Sequence, residues 1–124
     1  MYYHESGGRM VTELITSARA GLTQITMSKV NLLEFYYDSL RRQGKDGAQV
    51  AMSMIAGSPI KVIPWLSDDV FKEAGRLKAA CKISLADAIA LAEAKTQNAS
   101  LVTCDHHEFD ALERTGEASF LWIR

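Results

Sequence analysis

The residues S-L-A-D-A-I-A-L-A-E-A at Ser84–Ala94 are followed after a short gap by A-S-L-V-T-C-D at Ala99–Asp105, and this pair of segments sets the fold class. Ser84 is a residue type that caps helices, and the apolar positions behind it continue at helical spacing through Gln97. Ala99–Thr103 is a short apolar run ending in β-branched residues, too brief for a helix, and it reads as a strand. A helix that feeds a strand, repeated along a chain, is the signature of an α/β protein with a parallel sheet flanked by helices.

Outward from this stretch the alternation continues. Upstream, Gly7–Ala20 carries Met10, Val11, Leu14, Ile15 and Ala18 on one helical face and ends at Gly21. Leu22–Met27 alternates like a strand, and Ser28 caps a helix to about Gln43, stopped by Gly44. A second helix, Lys45–Ala56, ends at Gly57. Pro59 prevents its continuation, and Ile60–Trp65 is strand-like. Ser67 opens a helix to about Cys81, with Asp68 and Asp69 suited to its positive first turn. Downstream, His106–Glu113 reads as a short helix and Ala118–Ile123 as a last strand. With no repeat or linker, the 124 residues are expected to form one domain, 1–124, around one core.

Composition excludes several classes. Apolar residues make up 48% and charged residues 23%, as in an ordinary globular protein. No apolar run approaches the roughly 20 residues of a membrane span, and Met1–Gly8 lacks the basic and apolar regions of a signal peptide. Cys81 and Cys104 have no paired spacing, so zinc and a disulfide framework are not expected, and a reducing cytoplasmic setting is the default. The net charge of −1 provides no overall basic field. Basic residues gather at Arg41, Arg42 and Lys45, and at Lys72, Arg76, Lys78 and Lys82. With acids nearby, both groups read first as solvated helix faces.

Three carboxylates occupy costly places. Asp87 lies among alanine, leucine and isoleucine, and Glu34 among Leu32, Leu33, Phe35 and Tyr36. Asp105 ends the strand of Ala99–Thr103, on the edge where open α/β sheets build sites. A carboxylate facing apolar surroundings costs several kcal/mol unless paired or bound to a metal. Each acid also has a structural alternative. Asp87 could complete a capping box with Ser84, Asp105 with Glu108 could cap the next helix, and Glu34 could pair with Lys29 or Arg41. If the three converge, hard oxygen donors select Mg²⁺ or Mn²⁺, and the chemistry served is phosphodiester hydrolysis. The adjacent His106 and His107 read as surface or RNA-contacting residues rather than ligands.

The segments Ser84–Ala94 and Ala99–Leu112 resemble the C-terminal half of a PIN domain, in which a helix-start Asp precedes a strand ending in T-x-D. T-M-S-K-V-N-L-L-E-F-Y-Y at Thr26–Tyr37 is similar to the family's second strand and the helix that carries its Glu. The order of elements matches over nearly the whole chain. The resemblance implies a PIN-like three-layer fold, with a central parallel sheet between helices. It also implies Glu34, Asp87 and Asp105 as catalytic residues and metal ligands of an Mg²⁺- or Mn²⁺-dependent endoribonuclease acting on RNA. Compact members resemble VapC-type toxins, which implies an antitoxin protein as partner and a homodimer.

One departure is large. The family's first strand, which ends in a further Asp, has no counterpart ahead of Glu5, so the chain reads as an N-terminally truncated PIN-like domain. Strands 22–27 and 99–103 would flank that strand, and they are expected to pair directly or to borrow a strand from a second chain. A catalytically impaired module that binds protein or RNA without cleavage is the alternative function. A phosphotransfer receiver is disfavoured, since paired acids after the first strand and a phosphoacceptor Asp after the third are both missing. Phe35, Tyr36, Tyr37, Met52, Met54 and Ile55 offer more apolar surface than a small sheet needs, which suggests an interface.

Overall fold

Three serines start three of the helices. In the computed structural model, which describes residues 5–103, 112–114, 116 and 120–122, the order is α1 (Glu5–Arg19), β1 (Thr26–Ser28), α2 (Lys29–Ala56), β2 (Lys61–Ile63), α3 (Asp68–Ala80), α4 (Leu85–Thr96), β3 (Leu101–Thr103) and β4 (Phe120–Trp122). Ser28 Oγ accepts from the Asn31 N–H at 3.1 Å, Ser67 Oγ from Val70 at 3.3 Å and Ser84 Oγ from Asp87 at 3.1 Å. Each satisfies one of the donors that a helix start leaves unpaired.

Glycine ends or bends the other helical segments. After α1, Gly21 takes a φ of +77°, and the chain closes with Gly21 N–H donating to the Ala18 carbonyl at 3.1 Å and Leu22 N–H to that of Ser17 at 2.9 Å. This left-handed cap is the reason for a glycine there. Within α2, Gly44 has φ 75° and ψ −173°, a conformation open to glycine almost alone, and it divides the element into the two helical arms expected from the sequence. One turn on, a methyl group at Gly47 would overlap the Gln43 Cβ. Gly44→Ala is therefore expected to lower stability by about 1–3 kcal/mol, visible as a lower urea midpoint. An unchanged midpoint would show that the bend is not constrained.

The strands are shorter than their sequence patterns. Leu22, expected in the first strand, is 81% exposed in the turn after α1, and the ladder starts only at Thr26. The second strand stops at Ile63 because Pro64 has no N–H to donate. Both ladders are parallel: β1 pairs with β2 in the register Thr26↔Lys61 to Ser28↔Ile63, and β3 with β4 in the register Leu101↔Phe120 to Thr103↔Trp122. Among the described residues these are two two-stranded sheets, one in each stretch of the chain. Most of the helix expected at His106–Glu113 lies outside the described residues, although residues 112–114 are helical.

Backbone contacts group the chain into two compact units, centred on residues 9–65 and 66–124. In the first, the buried positions are mostly small: Ser39, Ala48 and Ala51 on α2, with Val11 and Ser28. Ser39 returns its hydroxyl to the Phe35 carbonyl at 2.8 Å, so its burial leaves no unmet donor. In the second, α3 sends Val70, Ala74 and Leu77, one stripe at i, i+4 and i+7, against Ala88, Ile89, Leu91 and Ala92 of α4, with Ile83 and Leu112 closing the cluster.

An ion network crosses the same helix pair. Glu73 on α3 accepts from Arg76 at 2.6 Å and from Lys95 of α4 at 3.0 Å. The hydrogen bond from Arg76, assisted by Lys95 and opposed by partial burial, holds the Glu73 carboxyl at about 2 rather than 4.5. Because the folded value is depressed, the network stabilises the fold above pH 4.5 and that contribution is lost as the pH falls towards 2. Solvent reaches the partners, so Glu73→Gln is expected to lose only about 1 kcal/mol at neutral pH. In acid titrations followed by circular dichroism, wild type and variant should converge over that window; parallel curves would contradict this.

Candidate functional site

Glu34 sits on the first arm of α2, six residues beyond its Ser28 cap and therefore well inside a helix with fixed backbone. It is half-buried, with exposed Leu33 beside it and half-buried Leu32 and Phe35 close in sequence. Among the described residues the structural alternative of a pairing with Lys29 or Arg41 is not seen, and an ion pair on this arm joins Arg42 to Asp38 at 3.1 Å. Among the described residues Glu34 makes no hydrogen bond or ion pair, so its carboxylate oxygens are available to a cation.

Asp87 is the third residue of α4. Its backbone N–H is held by Ser84, and its negative charge lies in the positively polarised first turn. The Ser84 bond is one of the two hydrogen bonds of the expected capping box, and Asp87 has a further interaction besides it. Asp87 is half-buried rather than enclosed, because the start of a helix opens to solvent even when the rest of the helix is apolar. Asp105, His106 and His107 lie outside the described residues; β3, the strand that leads to Asp105, ends at Thr103.

Glu34 and Asp87 belong to different compact units. Among the described residues no three His, Cys, Asp or Glu side chains gather closely enough to hold one ion. The donor set Glu34, Asp87 and Asp105 still fits Mg²⁺ or Mn²⁺ chemically, since all are hard oxygen ligands without sulfur or imidazole.

Among the described residues of the second unit, the enclosed carboxylate is Glu93, 9% exposed on α4, where Gln97 donates to it at 3.0 Å. The sequence carried that signal: Leu91, Ala92 and Ala94 surround Glu93 just as apolar residues surround Asp87. What separates the two is position along α4, with Asp87 at the open end and Glu93 in the packed last turns.

Comparison with known proteins bears on the whole arrangement. No curated protein sequence matches the chain. Among solved structures it resembles VapBC2 from Rickettsia felis bound to a DNA fragment from its promoter, at 20% identity, covering 95% of this chain and 86% of that one with a TM-score of 0.71. It also resembles VapBC-1 from nontypeable Haemophilus influenzae, at 18% identity, 88% and 84% coverage and a TM-score of 0.64. A toxin–antitoxin complex from Klebsiella pneumoniae is similar at 21% identity, 82% and 75% coverage and a TM-score of 0.59. These likenesses establish a shared α/β fold. The sequence itself matches the PIN domain family over residues 2–115, which include Glu34, Asp87 and Asp105, and the chain therefore belongs to the PIN domain family.

Proposed function

We propose that residues 1–124 act as one PIN-like domain, a cytoplasmic toxin-type endoribonuclease that hydrolyses RNA phosphodiester bonds with Mg²⁺ or Mn²⁺ held by Glu34, Asp87 and Asp105. The observation that carries this reading is Glu34, a half-buried carboxylate on a rigid helix arm with no cationic side chain bound to it among the described residues. Held by Glu34, Asp87 and Asp105, a divalent ion would supply activated water and neutralise charge on the scissile phosphate. The chain's own contribution is local placement: Ser84 fixes the backbone at Asp87, and the first arm of α2 fixes that at Glu34, each within its own unit.

The direct test is cleavage of a labelled RNA across a Mn²⁺ titration, with EDTA as control. Saturable, ion-dependent cleavage is expected. Cleavage that persists in EDTA, or fails at every Mn²⁺ concentration, overturns the reading; failure with RNA binding retained would favour a module that binds without cutting.

An antitoxin protein and a second copy of the chain are the proposed protein partners. The structural neighbours include toxin–antitoxin assemblies, and α2 presents an almost wholly apolar groove of about 300 Å³. Lys29, Leu32, Leu33 and Tyr36 of its first arm and Met52 of its second line that groove. Val50 and Met54 are 60% and 70% exposed on the same arm as Met52. Large apolar side chains left in water on one element mark an interface. Light scattering at high concentration is expected to show a dimer, and co-expression of a neighbouring small reading frame to raise solubility. A strict monomer with no gain in solubility would remove both partners.

No helix among the described residues is long and apolar enough to cross a membrane.

A further inference from the structure

The outer face of α3 carries charge and aromatic surface that neither the fold nor the proposed metal site uses. Val70, Ala74 and Leu77 turn inward, which leaves Phe71, Lys72, Gly75, Lys78 and Ala79 exposed, with Lys82 exposed in the connection that follows. Of the four basic residues here, Arg76 is committed to Glu73 through contacts of 2.6, 3.1 and 3.2 Å. Lys72, Lys78 and Lys82 make no hydrogen bond or ion pair among the described residues. The remaining acids of the helix, Asp68 and Asp69, sit in its first turn. From Lys72 to Lys82, every unneutralised charge on this element and its connection is therefore positive, on a chain whose net charge is −1.

Phe71 is 66% exposed. Its position, with Leu66 just before the Ser67 cap, is that of a hydrophobic staple at a helix start. A staple does not account for it: Leu66 is itself 45% exposed, and Phe71 keeps about two thirds of its surface in water. Gly75 and Lys78 follow Phe71 at i+4 and i+7 on the same stripe. At Gly75 nothing lies within 4 Å of where a Cβ would be. Lys78 suits the negative end of the helix, but that role explains neither Lys72 nor Lys82.

An accessible ring on a helix that also carries unpaired ammonium groups is the equipment of single-strand binding: bases stack on the aromatic, and phosphates meet the cations. A duplex would have no use for the ring, since its bases are already stacked. We propose that Phe71, Lys72, Lys78 and Lys82 form a docking face for single-stranded RNA outside the metal site. The proposal rests on the reading of RNA as the substrate, and it adds where the strand is gripped away from the cut.

The test measures binding apart from cleavage. Fluorescence anisotropy of a labelled, unstructured RNA of roughly ten nucleotides is followed in EDTA, with the intact chain, as a function of salt. Replacing Lys72, Lys78 and Lys82 together by Gln is expected to reduce the slope of log K against log salt by about 2, three contacts at roughly 0.7 each. Phe71→Ala is expected to weaken binding about five- to tenfold with the slope unchanged, and Phe71→Trp to restore it. Duplex RNA of the same length should be indifferent to Phe71→Ala. Unchanged binding in both variants, an equal loss on duplex, or capture of an acidic protein by this face in place of RNA overturns the proposal. Binding through this face without cleavage in Mn²⁺ would sink only the nuclease reading, and cleavage with binding unaffected by the variants would sink only the docking face.

Discussion

Asp87→Asn is expected to reduce Mn²⁺-dependent RNA cleavage by about two to three orders of magnitude, because a metal-held charge contributes several kcal/mol to such a transition state. The substitution keeps the shape of the side chain and leaves intact the Ser84 bond, which goes to the backbone N–H. It removes a negative charge from the first turn of α4, so a stability loss of about 0.3–1 kcal/mol accompanies it. Thermal melts without metal separate the two effects. Glu93→Gln is the matched control: it alters the enclosed carboxylate hydrogen-bonded to Gln97, and should cost on the order of 1 kcal/mol in stability with cleavage per folded molecule preserved. Wild-type rates in Asp87→Asn, or a greater loss of cleavage in Glu93→Gln, would remove Asp87 from the site.

Leu77→Ala should produce the largest loss of stability, about 2–5 kcal/mol, since deletion of a fully buried leucine forfeits transfer energy and leaves a cavity. Leu77 has no exposed surface and lies in the cluster that joins α3 to α4. Against a domain stability of about 5–15 kcal/mol, that is enough to populate unfolded chains at physiological temperature. Urea unfolding of Leu77→Ala beside Phe71→Ala makes the comparison internal, because both residues are on α3 and only one is buried. Phe71→Ala is expected to stay within about 0.5 kcal/mol of wild type. Comparable losses in the two variants would mean that the outer face of α3 is also structural.

The helices were legible because their signals are local. Ser28, Ser67 and Ser84 cap the segments they were expected to cap, and Gly21 and Gly44 take backbone conformations that exclude most other residues. Caps, glycine turns and one-sided apolar stripes act within a few residues, so the chain states them directly. The strands were less legible, since a pattern says which residues can pair but not where a partner begins and ends. Leu22–Met27 contributed only its end to a ladder, and Pro64 cut the second strand short.

The candidate site divides in the same way. Residue type and local context single out Glu34, Asp87 and Asp105 as candidate oxygen donors, and the structure places the first two on helices. Burial did not follow from context, because Asp87 and Glu93 share apolar neighbours along α4 yet only Glu93 is enclosed. The sequence by itself determined the α/β class, the helix starts and bends, and the family to which the chain belongs. Only the tertiary structure decided which strands pair, which carboxylate the packing of α3 on α4 encloses, and that Glu73 takes Arg76 and leaves Lys72, Lys78 and Lys82 without a partner among the described residues. Those outcomes depend on partners that are distant in sequence or that compete for one another, and such competition is settled only when the elements pack.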